Sequence, residues 1–174
     1  LENARLFSET QGLLNETEQR AAELAVINSV QETLASKLDL QAIYNLIGEK
    51  TREVFHVAVV DIVIYDEKTN LISMPYSIEK DDRSVIEPRE AFGFRLKVIQ
   101  SKAPLLIDHD FIAEAQKHNN PLYSGEWPKS ALFVPLLLGE KVIGVISIQD
   151  TEREYAFKDS DVRLLQTLAS SMSS

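Results

Sequence analysis

The apolar positions of this chain change period along its length. From Leu1 to Leu34, Leu6, Leu13, Ile27 and Leu34 fall seven or fourteen residues apart, and Leu24 and Leu38 supply the intervening steps of three and four. The stretch has no proline and one glycine. This heptad-like spacing predicts a long helix. Thr10, Thr17, Arg20 and Gln31 occupy other positions of the same seam. Two readings follow: a helix packed on its own domain, or a helix that also pairs with a second copy. In the second case the polar seam residues weaken the pair and help to fix its register. Leu40, Ile43, Ile47 and Val54 predict a second helix from Asp39 to Val54, with Asp39 as its cap.

The period then shortens. Val57 to Tyr65 is a nearly continuous apolar run, which predicts a strand covered on both faces. A polar turn at 66–70 leads to a partner strand, Leu71 to Ile78, in which Pro75 predicts an edge position or a bulge. Residues 79–90 are charged and irregular. A short helix is expected from Phe94 to Ser101, stopped before Pro104, and a brief strand from Leu105 to Ile107. Another short helix, capped by Asp110, runs to His118. Asn119 to Lys129 holds two prolines and one glycine and reads as a loop. Ser130 to Gln149 (SALFVPLLLGEKVIGVISIQ) reads as two apolar strands joined by a tight turn at Gly139-Glu140-Lys141. A final helix opens at Phe157 to Asp161. The elements together predict a mixed α/β fold: a central antiparallel sheet of about five to six strands, helices on both faces and a long N-terminal helix.

Composition narrows the function. The chain of 174 residues carries a formal charge of -9, with 27 acidic residues against 18 lysines and arginines. That balance argues against a nucleic-acid surface and against anionic lipid. No apolar run approaches the roughly 20 residues that span a bilayer, so no membrane insertion is expected. There is no cysteine, which removes disulfides, zinc–thiolate sites and thiol catalysis, and which fits a reducing, cytoplasmic compartment. The phosphate-binding P-loop, the dinucleotide G-x-G-x-x-G element and the G-x-S-x-G elbow are all missing. Ser, His and Asp occur without a spacing that orients a triad.

Five segments together resemble the GAF domain family. They are Phe92 to Arg95 (FGFR) with Ala103 to Ile107 (APLLI), Ser130 to Leu137 (SALFVPLL), Val142 to Ser147 (VIGVIS) and Phe157 to Asp161 (FKDSD). The resemblance covers roughly Leu24 to Ser174. The opening LENARLF is similar to the helix that joins consecutive domains in tandem members. The resemblance therefore implies one unit of an array, with residues 1–23 as a linker or coiled-coil helix and residues 24–174 as the sensor domain. It implies a bacterial signalling parent with neighbouring sensor domains and an output domain, such as a histidine kinase of a two-component system or a nucleotide cyclase. The heptad-like spacing points to homodimers paired through the N- and C-terminal helices, which the resemblance places on one face of the sheet. The same resemblance places a small-molecule pocket on the other face, under the loops 79–90 and 119–129, and gives this unit no catalysis of its own. The alternative is a structural dimerisation and relay module with a filled pocket.

The resemblance also constrains the ligand. Members that hold a bilin covalently need a cysteine, and this chain has none. The signature of cyclic-nucleotide binders is matched at Phe157 and Asp161. It is broken at Val162, where glutamate is expected, and at Asp150-Thr151, where Asn-Lys is expected, so a cyclic nucleotide is disfavoured. Nothing favours haem at His109 or His118.

The ligand-binding candidates are Asp61, Tyr76, Arg89, Phe94, Arg95, Trp127 and Ser130. Asp61 is a carboxylate inside an apolar strand and must meet a donor, either within the fold or on a ligand. Tyr76, Phe94 and Trp127 are aromatics beside the two loops and Ser130 a hydroxyl there, with Tyr123 and Lys129 nearby. Arg89 and Arg95 can grip a carboxylate or phosphate, which points to a small anionic or polar ligand. Asp108, His109, Asp110 and His118 lack metal-ligand spacing and read as surface polar residues, and no metal is expected.

Overall fold

The computed structural model describes residues 1–84, 86–122 and 124–173, without the side chains of residues 30, 33, 34 and 38. The seam residues Leu34 and Leu38 and the loop residue Tyr123 therefore lie outside the described set. Helix α1 spans Glu2–Phe55, so the two helices expected on either side of Asp39 are one. Residues 35–41 contain neither proline nor glycine, and nothing in them breaks the hydrogen-bond ladder. Asp39 sits inside the helix and caps nothing.

The chain separates into two compact units, Leu1–Ala42 and Ile43–Ser174. In the first unit Leu6, Phe7, Leu13, Leu24 and Ile27 are exposed. Thr10 and Thr17 donate their hydroxyls to the carbonyls of Leu6 and Leu13, each at 2.9 Å. Both seam threonines thus satisfy their donors within the helix.

The second unit is built on one antiparallel sheet. Its strands are β1 (Val59–Asp66), β2 (Leu71–Glu79), β3 (Asp82–Arg83), β4 (Arg89–Glu90), β5 (Leu105–Ile107), β6 (Ser130–Leu138) and β7 (Lys141–Asp150). The order is β3-β2-β1-β7-β6-β5, and β4 also pairs with β2. Three helices follow α1: α2 (Gly93–Ser101), α3 (Phe111–Lys117) and α4 (Asp159–Met172).

Alternation along the strands divides the core in two. One face carries Val63, Ile72, Ala131, Phe133 and Val145, packed with Phe94 and Val98 of α2 and Phe111 and Ala115 of α3. The other carries Val60, Ile62, Ile78, Leu132, Val134, Ile146 and Ile148, packed with Tyr44 and Ile47 of α1 and Leu165 and Ala169 of α4. The N- and C-terminal helices of the unit thus share one face, as the resemblance implies.

Three local features explain how these elements end. Ile62 pairs with Tyr76 and Ile64 with Ser73, so Met74 and Pro75 together oppose Val63. That is a β-bulge, and Pro75 occupies it because a bulged residue owes no ladder donor. At the hairpin, Leu138 pairs with Lys141 and Gly139 takes φ 63° at the first loop position, where a type II′ turn places glycine. At α4, the Asp161 carboxylate accepts the Lys158 N–H at 2.7 Å and the Asp161 N–H returns to the Lys158 carbonyl at 2.9 Å. This closes the first turn from both sides. Asp110 precedes α3 but makes no side-chain cap bond, because it adopts the left-handed conformation at φ 49°.

Candidate functional site

The α2/α3 face of the sheet bears a partly open cavity of about 100 Å³ under the loops at 79–90 and 119–129. Its floor follows from strand register. Ser77, Asp61 and Ser147 lie side by side on β2, β1 and β7, and Phe133 of β6 pairs with Ser147. A second row, Glu79, Val59 and Gln149, lies two residues further along the same strands. At about 3.3 Å per residue the two rows are roughly 7 Å apart.

Helix α2 supplies the roof. Phe94 is fully buried, with its ring 5.3 Å from Phe111 and 5.5 Å from Phe133. Its N–H is capped from a distance, by Asn120 Oδ1 at 3.0 Å. That bond leaves the Asn120 amide N–H groups for other partners. With Phe94 anchored, the next residue, Arg95, reaches down to the floor. Arg95 Nη2 donates to Asp61 Oδ2 at 2.9 Å, and Ser77 Oγ donates to Asp61 Oδ1 at 2.7 Å. The guanidinium also lies 5.7 Å from the Phe133 ring centre, within cation–π range. Burial pushes the Arg95 pKa down from its ordinary value, and neighbouring Arg89 adds to this while Asp61 opposes it. Arg89 lines the same cavity, its guanidinium 5.1 Å from the Phe92 ring. Arg95 Nε and Ser147 Oγ are buried without a hydrogen-bond partner.

The lid is tied to the floor by acids. Glu79 Oε1 accepts the Glu126 N–H at 3.0 Å, and Lys80 pairs with the Glu126 carboxylate. Trp127 closes the apolar side, its ring 6.2 Å from Phe111.

Of the seven residues read from sequence, the structure brings Asp61, Arg89, Arg95 and Trp127 together around the cavity. Phe94 packs directly behind it in the core. Tyr76 and Ser130 are elsewhere. Tyr76 packs on the α1/α4 face and donates its hydroxyl to Glu49 Oε1 at 2.8 Å. The bulge at Met74-Pro75 explains this, because one extra residue flips every later side chain of β2. Ser130 is fully buried and donates to the Arg153 carbonyl at 2.7 Å, holding the loop before α4. Ser77, Glu79, Asn120 and Gln149 line the cavity and were not singled out. The first three owe their place to pairings made far along the chain; for Gln149 the signal was legible as the alternation that sets it with Ser147.

A second polar group lies at the start of α3. His109 Nδ1 is 2.6 Å from Asp108 Oδ1, and its ring stacks on Tyr155 at 5.3 Å. The Asp108 contact raises the His109 pKa. Among the described residues no group of acids and histidines is placed to hold a metal ion. No described helix is long and apolar enough to cross a membrane.

Comparison with known proteins agrees with this architecture. Residues 37–174 match the family model of the GAF domain. A search of curated proteins finds no match. Among solved structures, the GAF domain of an Acinetobacter phosphoenolpyruvate-protein phosphotransferase superposes with a TM-score of 0.63 at 20% identity, covering 77% of this chain and 80% of that one. A type II free methionine-R-sulfoxide reductase from Thermoplasma acidophilum gives 0.64 at 14% identity, covering 79% and 92%. The blue-light absorbing form of the PixJ GAF domain from Thermosynechococcus elongatus gives 0.60 at 15% identity, covering 78% and 83%. At such identities these likenesses speak for the fold alone, and with the family model over most of the chain they establish that this protein belongs to the GAF domain family, the sensory modules of signalling proteins.

Proposed function

We propose that this unit is a non-catalytic sensor that binds a small molecule in the cavity and relays the event through the N- and C-terminal helices to an output domain of a longer signalling protein. One observation carries the reading: cavity and helices contact the two faces of the same strands. Asp61 faces the cavity between Val60 and Ile62, which face the helices, and Ser77 does so between Tyr76 and Ile78. A ligand that favours one position of these strands changes what α4 and the end of α1 pack against. Such a ligand shifts the equilibrium by its difference in affinity for the two arrangements.

The charged groups of the cavity support binding over catalysis. Asp61 is held by two donors, Arg95 and Ser77, and the described lining of the cavity holds no histidine, lysine or cysteine. The chain has no cysteine, so thiol redox chemistry is closed to it. A homodimer through the exposed apolar stripe of α1 would give the relay its partner, and a cytoplasmic site would give it access to metabolites.

The test is a thermal-shift screen with metabolites, cyclic nucleotides included. Ligand at about 100 times its dissociation constant adds roughly 2.7 kcal/mol. If no compound moves the melt, a structural relay with a closed pocket replaces the sensor.

A further inference from the structure

The cavity wall carries opposite charges in separate places. Arg95 reaches from α2 to Asp61, beside Ser77, and Arg89 of β4 lines the same cavity. Glu79 stands on the next row of the floor, roughly 7 Å further along the strands. Asp61 is already engaged by Arg95 and Ser77, and Glu126 by Lys80. Glu79 uses one carboxylate oxygen, Oε1, to hold the lid through the Glu126 N–H. Trp127, Phe111 and Phe133 supply the aromatic part of the cavity lining.

We propose that the cavity takes a small zwitterion, a free amino acid with a short side chain, with its carboxylate toward Arg95 and Arg89 and its ammonium toward Glu79. The proposal rests on the sensor reading above and names the ligand class for it. Three arguments lead there. A guanidinium pair recognises a planar carboxylate through directed N–H donors. An anion without a cationic end would meet the Glu79 carboxylate, and a bare amine would meet two arginines. Volume sets the size: about 100 Å³ is below the roughly 150 Å³ that admits benzene. The enclosed part of the ligand is therefore limited to about six non-hydrogen atoms or fewer. Glycine and alanine meet this limit and serine exceeds it by one atom, whereas a cyclic nucleotide exceeds it several-fold.

The experiment is a calorimetric titration of the intact chain with glycine, L-alanine and L-serine, beside propionate and n-propylamine as half-ligands. At least one zwitterion should bind, and each half-ligand should bind about tenfold more weakly or worse. Equal binding of propionate overturns the proposal in favour of an anion site. Binding of none of the zwitterions overturns it outright. The metabolite screen then separates the two ideas, because a hit of another class leaves the sensor reading standing while no hit at all removes both. Glu79→Gln tests the ammonium end and keeps an oxygen for the Glu126 N–H. It should weaken the bound zwitterion about tenfold and leave propionate unweakened, with the thermal melt as the folding control. An unchanged zwitterion affinity in this variant also overturns the assignment.

Discussion

Arg95 on α2 and Asp61 on β1 form an ion pair at 2.9 Å, although 34 residues separate them in sequence. Both side chains are nearly buried, at 12% and 10% exposure. The pair fastens the roof of the cavity to its floor. Each partner is needed chiefly because the other is there, since a buried charge without its counterion is costly.

Removing one partner should therefore cost more than removing both. Asp61→Ala should lower stability by about 3 kcal/mol, because it strands a buried guanidinium. The double variant Asp61→Ala, Arg95→Met should recover a substantial part of that loss. Urea denaturation of the three proteins measures both numbers. A double variant as unstable as the single one would show that the pair contributes by attraction and not by mutual neutralisation.

Gly48 tests packing against propensity. Alanine favours a helix over glycine by up to about 1 kcal/mol. A Cβ at Gly48, however, would overlap the ring of Tyr76, which is 1% exposed and tied by its hydroxyl to Glu49. Overpacking of this kind costs about 1–3 kcal/mol, so Gly48→Ala should destabilise the protein despite the better helix former. A rise in melting temperature would mean that the ring yields.

Tyr76 should leave a mark in alkaline titration. Burial first, then the bond to Glu49, pushes its pKa up from 10.0 to about 12. The folded state thus keeps its proton after the unfolded state has lost it. This contribution to stability is complete below about pH 10 and is lost as pH rises toward 12. Tyr76→Phe should flatten the stability curve between those values. Parallel curves for the two proteins would place the alkaline loss elsewhere.

The hairpin should be sensitive at one position and tolerant at the next. Gly139 has φ 63° with open space around its Cβ position, so a substitution there meets backbone strain and no clash. Gly139→Val should cost about 1–2 kcal/mol, and Glu140→Val well under that. Thermal melts of the pair provide the measurement.

The exposed stripe of α1 should make the chain a homodimer at micromolar concentration. Leu6, Leu13, Leu24 and Ile27 are each about half exposed or more. Light scattering should show a dimer that weakens when residues 1–23 are removed. A monomer at high concentration, unchanged by that deletion, would refute the pairing.

What the sequence determined by itself was local. Unbroken spacing made α1 helical, and alternation drew the strands. Glycine placed the turn at 139, and Pro75 announced an edge position or a bulge. Family motifs in order implied the sheet, the shared helix face and the side on which the pocket lies. Asp61, Arg89, Arg95 and Trp127 were legible because a charge in an apolar strand, or arginine and tryptophan in a loop region, stands out from its neighbours. Tertiary structure decided the partners. Asp61 found Arg95 and Ser77, the N-terminus of α2 found Asn120, and Glu79 found the lid, through contacts that no short-range pattern encodes. The bulge also settled on which side of the sheet Tyr76 lies. A side chain's face depends on the count of every residue between it and its pairing partner, and one extra residue in β2 reverses it.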